Sequence, residues 1–200
     1  MKIVLDNVGK RYATGWVFKN ISFQISNHDI FSITGLNGTG KSTLVKIISG
    51  YLSHTKGKLV HSFEDKKINR DNIYKYCALS MAYAELDEEL TVTEIFEHYK
   101  KFKAFKITDL QQFLELSQFE KERNKTIAHF SSGMKQRLSL ALAFVMDTPL
   151  LLFDEPTSFL DADKKKWFHR MMKKFGDERT IVIATNDPSD LAFCTNGIEL

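Results

Sequence analysis

Two cysteines and three prolines are all that the 200 residues contain of either type. Two thiols cannot build a disulfide framework. Cys77 and Cys194 also lack the spacing and company of a zinc site, so both read as buried free thiols of a reducing compartment. With proline only at Pro149, Pro156 and Pro188, no proline-rich linker divides the chain. No run approaches the roughly 20 apolar residues that a membrane helix needs, and the opening MKIVLDNVGKRY lacks the apolar core of a signal peptide. Strong charge is missing too. A net charge of +3 is too small to argue for a nucleic-acid partner, and the lysines at 100–106 and 164–166 read as solvated helix faces. The expectation is a soluble, cytosolic protein that would serve a membrane only through a partner.

What is present is ordinary globular composition, 43% hydrophobic and 26% charged, and enough chain for one domain with an inserted subdomain. KIVLDNV and WVFKNISFQI are rich in β-branched and aromatic residues and flank Ala13-Thr14-Gly15, which predicts an antiparallel strand pair. IFSIT (30–34), YCALS (76–80), PLLLF (149–153), TIVIA (180–184) and GIEL (197–200) read as further strands, mostly buried and parallel. Helical spacing marks STLVKIIS after the first of these and DADKKKWFHRMMKKF before TIVIA. Between about residues 84 and 147 the pattern turns helical. TVTEIFEHYKK opens with a capping box, TDLQQFLELS follows, and a serine precedes the apolar spacing of SGMKQRLSLALAFVM. Strands alternating with helices imply a mainly parallel α/β sheet.

GLNGTGKST, residues 35–43, fits G-x-x-x-x-G-K-[ST] and lies between a strand and a helix, the context in which the pattern acquires a mechanism. Gly35, Gly38 and Gly40 let the backbone coil so that its N–H groups, with those of Leu36, Asn37 and Thr39, form an anion nest. The following helix adds the positive end of its dipole. Lys41 supplies a point charge for the outer phosphates, Ser42 a hydroxyl for Mg2+, and Thr43 a further donor. These features point to nucleotide binding and predict the fold of a P-loop NTPase. LLLFDEP (150–156) ends a buried strand in two carboxylates. Asp154 suits the metal's shell and Glu155 the proton of an attacking water.

FSSGMKQR (130–137) and SFLD (158–161) complete a series. The order and spacing of these four motifs over essentially the whole chain resemble the ATP-binding cassette proteins. The resemblance implies the nucleotide-binding subunit of an ABC transporter: a cassette of residues 1–200 with a helical subdomain, about 84–147, inserted in a RecA-like core. Such a subunit binds ATP with Mg2+, hydrolyses it, and sits peripherally on the inner face of the cell membrane against an integral-membrane transporter subunit. It implies a homodimer, or a heterodimer with another ATP-binding subunit, in which Ser131, Ser132, Gly133 and Met134 form a second anion site. That site faces the triphosphate held by the opposite protomer, with Asp161 at the interface. Ser132 and Met134 depart from the family's L-S-G-G-Q. Tyr12 matches the aromatic that stacks on adenine, a role for which Trp16 and Phe18 compete.

Two further departures stand out. Relatives carry a metal- and water-contacting glutamine where this chain has Met81, Ala82 or Tyr83; Glu85 is a candidate substitute. In IVIATND, Asn186 stands at the family's switch histidine. Its amide can donate to the terminal phosphate but cannot become charged, which implies slower hydrolysis. The alternative is a nucleotide-gated switch subunit with little or no hydrolysis, paired in a heterodimer. A soluble cassette acting on DNA or the ribosome is disfavoured by the short single chain.

Overall fold

The computed structural model describes residues 1–82 and 86–200. Strands β1 (Lys2–Tyr12) and β2 (Gly15–Ile25) pair antiparallel and close with Tyr12 opposite Gly15, as the alternation around that turn predicts. β3 (Ile30–Thr34) runs through the glycine loop into α1 (Lys41–Ile48). Two strands absent from the sequence reading follow, β4 (Lys56–Phe63) and β5 (Lys66–Ile68). β4 pairs antiparallel with β1 and β5 with β4, so the expected pair is a four-stranded sheet, ordered β2-β1-β4-β5. Their lysines, at 56, 58, 66 and 67, hide the strand signal; register with the distant β1 supplies it instead.

β6 (Cys77–Met81) begins the remaining run, followed by α2 (Val92–Lys100), α3 (Leu110–Ser117) and α4 (Ser132–Val145). The capping box forms as read, Thr91 accepting from the Glu94 N–H while the Glu94 carboxylate accepts from Thr91. The helix α4 is buried around its circumference from Gln136 to Val145. One side meets the other helices and the other side meets the sheet, where Ser139 Oγ lies 2.8 Å from Ser80 Oγ of β6. β7 (Leu150–Asp154), α5 (Ala162–Phe175), β8 (Thr180–Ala184), α6 (Pro188–Leu191) and β9 (Asn196–Glu199) complete the chain.

The second sheet is parallel throughout, in the order β6-β7-β8-β3-β9. Its alternating residues fill two cores. Leu151, Phe153, Ile181 and Ile183 face α2 to α5, whereas Leu150, Leu152, Val182 and Ala184 face α1 and the antiparallel sheet. Trp167, Phe168, Met171, Met172 and Phe175 of α5 are all buried in the first of these cores. Both cysteines are free, and burial pushes both thiols up to about 11. Among the described residues no helix is long and apolar enough to cross a membrane.

Candidate active site

The carboxyl ends of the parallel strands define the site. Met81, Asp154 and Ala184 stand on one rung of β6, β7 and β8, so Glu155 and Thr185-Asn186 project just beyond the sheet edge. The loop after β3 faces them. Its last glycine, Gly40, has φ 107°, and a Cβ there would meet Val17 Cγ1 at 2.5 Å. Only glycine allows the loop to press this closely on β2. Gly40 is also the N-cap of α1 and provides no side-chain hydrogen bond, so the first N–H groups of α1 are left to the loop and a ligand. Thr39 closes the loop's turn through its N–H and hydroxyl, 3.2 and 3.0 Å from the Leu36 carbonyl. The Leu36 side chain stands out in solvent.

Lys41 is buried, with Nζ donating to the Gly35 carbonyl at 2.8 Å and the Leu36 carbonyl at 3.5 Å. Glu155 Oε1 lies 3.7 Å from the same ammonium. The Glu155 backbone is left-handed, φ 49°, and its N–H donates to Ala184 O at 2.8 Å. A non-glycine residue held in this region at a strand end is positioned by its surroundings rather than by preference. Partial burial raises the Glu155 pKa, opposed by the Lys41 charge. Burial raises that of Asp154 too, opposed first by the Ser42 hydroxyl and then by Lys41 and Lys46.

Asp154 Oδ1 is buried and has no hydrogen-bond partner among the described residues. A desolvated carboxylate oxygen beside a serine hydroxyl suits a hard cation. No group of three or more His, Cys, Asp or Glu that could hold a metal occurs among the described residues. Ser42 and Asp154 open on a cavity of about 600 Å³ whose other walls include Met81, Ala82, Leu86, Tyr99 and Ser139. Tyr83 and Glu85, the other positions considered for the missing glutamine, lie outside the described residues.

Asn186 bonds to the phosphate loop itself. Its Nδ2 donates to the Gly35 carbonyl at 2.8 Å and its Oδ1 accepts from the Gly35 N–H at 3.3 Å. Two neighbours received no role of their own from the sequence. Asp187 pairs with Lys165 of α5, and that ion pair with the Ser189 hydrogen bond holds its carboxyl at about 2. Asp190, fully buried, accepts from Thr157 Oγ1 at 2.9 Å and Thr185 Oγ1 at 3.2 Å; burial pushes its carboxyl up to about 6. In sequence Asp190 looks like any polar residue after a proline, and nothing local distinguishes it.

The second group of expected residues gathers elsewhere. Ser131 is the N-cap of α4, its Oγ accepting from the Met134 N–H at 3.3 Å. Ser131 to Met134 and Asp161 line one cavity of about 420 Å³ with Arg137 and Lys164. Gly133 is closely packed: a Cβ would meet the Phe159 carbonyl oxygen at 2.6 Å. Asp161 caps α5 through the Lys164 N–H at 2.8 Å, which lowers its pKa. Thus the chain brings Gly35, Lys41, Ser42, Asp154, Glu155 and Asn186 to one edge, and Ser131 to Met134 with Asp161 to another. Of the three aromatics weighed for adenine, Phe18 is buried against Gly40, whereas Tyr12 and Trp16 are exposed under Lys10 and Lys19 respectively.

The sequence profile of the ABC transporter family matches residues 18–158, from β2 through the acidic pair. This chain belongs to the ABC transporter family. It is 27% identical over 197 residues to the energy-coupling factor transporter ATP-binding protein EcfA1 of Fusobacterium nucleatum, covering 94% of this chain and 75% of that protein. To the Nod factor export ATP-binding protein I of Rhizobium johnstonii it is 31% identical over 189 residues, 92% of this chain and 61% of that one. The fold matches a solved dimeric ATP-binding cassette in a post-hydrolysis state with ADP and Pi bound. That match has a TM-score of 0.86 and 26% identity, covering 99% of this chain and 94% of the other. The chain is therefore an ABC cassette with the P-loop α/β fold.

Proposed function

We propose that this cassette binds ATP with Mg2+ and hydrolyses it to drive transport through a separate integral-membrane subunit, on whose cytoplasmic side it sits. The observation that carries the reading is the approach of Lys41 Nζ to Glu155 Oε1, 3.7 Å, beside the unpartnered Asp154 oxygen at the mouth of the glycine loop. The loop N–H groups and the α1 N-terminus bind the phosphates, and Lys41 turns its ammonium to their outer oxygens. Ser42 and Asp154 would hold a Mg2+, which when bound would neutralise charge on the phosphate oxygens. Glu155 accepts the proton of the water that attacks the terminal phosphorus, and the bond from that phosphorus to the ADP oxygen breaks. Desolvation makes Glu155 a stronger base than a free carboxylate. Tyr12 stacks on the adenine. The Ser131 to Met134 turn and Asp161 close a second ATP site on another cassette, either a copy of this chain or a related subunit, and the dimeric solved relative supports that arrangement.

In this reading turnover is slow. With the Asn186 amide held on Gly35, one preorganised donor to the terminal phosphate is missing, and such a loss costs about 3 kcal/mol, or 10²–10³ in rate, in enzymes where one donor has been removed singly. Steady-state Mg-ATP hydrolysis tests the assignment. Glu155→Gln should lower kcat by about 10²–10⁴ while ATP still binds; equal rates for the two proteins would remove Glu155 from its role.

A further inference from the structure

Asn186 makes two hydrogen bonds to a single residue of the phosphate loop. The backbone of Gly35 can only donate through N–H and accept through C=O, so the amide orientation is dictated: Nδ2 to the Gly35 carbonyl at 2.8 Å, Oδ1 from the Gly35 N–H at 3.3 Å. β3 and β8 pair as far as Ile33 and Ala184, with the Thr185 N–H on the Ile33 carbonyl at 3.1 Å. Beyond that rung the two backbones part, and the Asn186 side chain makes the next rung in their place. The Gly35 carbonyl so held is also the 2.8 Å acceptor of Lys41 Nζ. Gly35 itself is confined, with φ 136° and room for no Cβ, since one would meet the Leu200 carbonyl oxygen at 2.6 Å.

From this geometry we infer that Asn186 is a positioning residue of the phosphate loop, fixing the Gly35 peptide that in turn aims Lys41. Without it the Gly35 carbonyl is free to turn, and Lys41 shifts toward the carboxylate of Glu155, 3.7 Å away. The lysine would then be withdrawn from the triphosphate and the base partly neutralised. A histidine could not serve in the same way. Its two ring nitrogens diverge, so they cannot meet the N–H and C=O of one residue together. The departure from the family pattern at Asn186 therefore supplies a lock on the loop rather than a weaker copy of a phosphate contact. The effect on ATP follows from the nucleotide reading above, whereas the lock itself does not depend on it.

The test separates the two. Amide hydrogen exchange of the nucleotide-free protein over residues 33–40, measured for wild type, Asn186→Ala and Asn186→Gln, reads the lock directly. Both variants should exchange this segment about five- to thirty-fold faster, the effect of losing one or two net hydrogen bonds. Unchanged exchange overturns the inference. ATP titrations and steady-state kinetics then read its consequence: KM and the ATP dissociation constant should rise about five- to thirty-fold in both variants, with a smaller change in kcat. Asn186→Gln keeps the amide but carries it past Gly35, so retained affinity there, or a fall in kcat at constant KM, would mean direct phosphate contact and overturn the inference. Should Asn186→Ala lose its cooperative thermal melt, Asn186→Gln decides alone. A wild type that shows no ATP binding sinks the nucleotide reading while leaving the exchange result to stand by itself.

Discussion

The two helix N-termini proposed to meet phosphate are built in opposite ways. At α1 the cap is Gly40, without a side-chain bond, and the loop before it is tied down by Lys41, Thr39 and Asn186 from within and behind. Its charged groups are buried, Lys41 at 6% exposure and Asp154 at 4%. At α4 the cap is Ser131, whose oxygen already accepts from the Met134 N–H, and Ser131 and Ser132 lie in solvent. One N–H of that turn is thus satisfied in advance, and what remains to offer is a hydroxyl proton and a few backbone donors. A buried charge beside free helix N–H groups can bind an anion within one chain. An exposed, capped turn gains strength only when another surface covers it.

That contrast can be broken or sharpened by substitution. The largest effect belongs to Lys41→Ala, which removes a charged donor from a desolvated site. ATP affinity in a fluorescence titration should fall by about 10²-fold, the scale of charge-assisted hydrogen bonds. An unchanged affinity would end the comparison. A smaller and different effect is expected at the other turn. Gly133→Val drives a side chain into the Phe159 carbonyl, 2.6 Å from where its Cβ must sit, at a cost of about 1–3 kcal/mol. Single-chain ATP affinity should stay within about two-fold. The dependence of hydrolysis on protein concentration, which reports pairing of cassettes, should weaken by about ten-fold. Loss of ATP affinity in the single chain would show that the two turns are not separate.

The smallest effect concerns Asp190 and its hydrogen bonds from Thr157 and Thr185. The Asp190 carboxyl is raised to about 6 from 3.8 by burial. Raised in the folded state, it favours folding fully below pH 3.8 and loses that contribution as pH rises through about 6. Asp190→Asn has no such titration. The melting temperature of the variant relative to wild type should therefore rise between pH 4 and pH 7, by several degrees. A difference that is flat with pH would mean Asp190 is not desolvated as found.

Much of the site could be read directly because its chemistry is local. The span 35–43 has to coil at its glycines wherever it is placed, and LLLFDEP has to end a buried strand in carboxylates. Ser131 and Thr91 cap the helices that follow them through bonds that reach only three residues. Other features depend on residues far apart in the chain. The family pattern puts Asn186 toward the terminal phosphate, but a lone asparagine after a strand says nothing about which backbone lies opposite; 151 positions separate it from Gly35, to which it is bonded. Phe18 and Tyr12 look equivalent along the chain; only packing buries Phe18 against Gly40 and leaves Tyr12 exposed. The β4–β5 hairpin was missed because its alternation is hidden by lysines.

The sequence by itself determined which backbone segments could hold phosphate and carry charge, since nests, caps and buried strand ends follow from conformations that a few neighbouring residues dictate. Tertiary structure alone decided what each segment leans on: Gly35 on Asn186, Gly133 on Phe159, Thr157 on Asp190. The physical reason is range. Local torsional preference and near-neighbour hydrogen bonds are set within a turn or a strand, whereas sheet register fixes contacts between residues that have no information about each other along the chain.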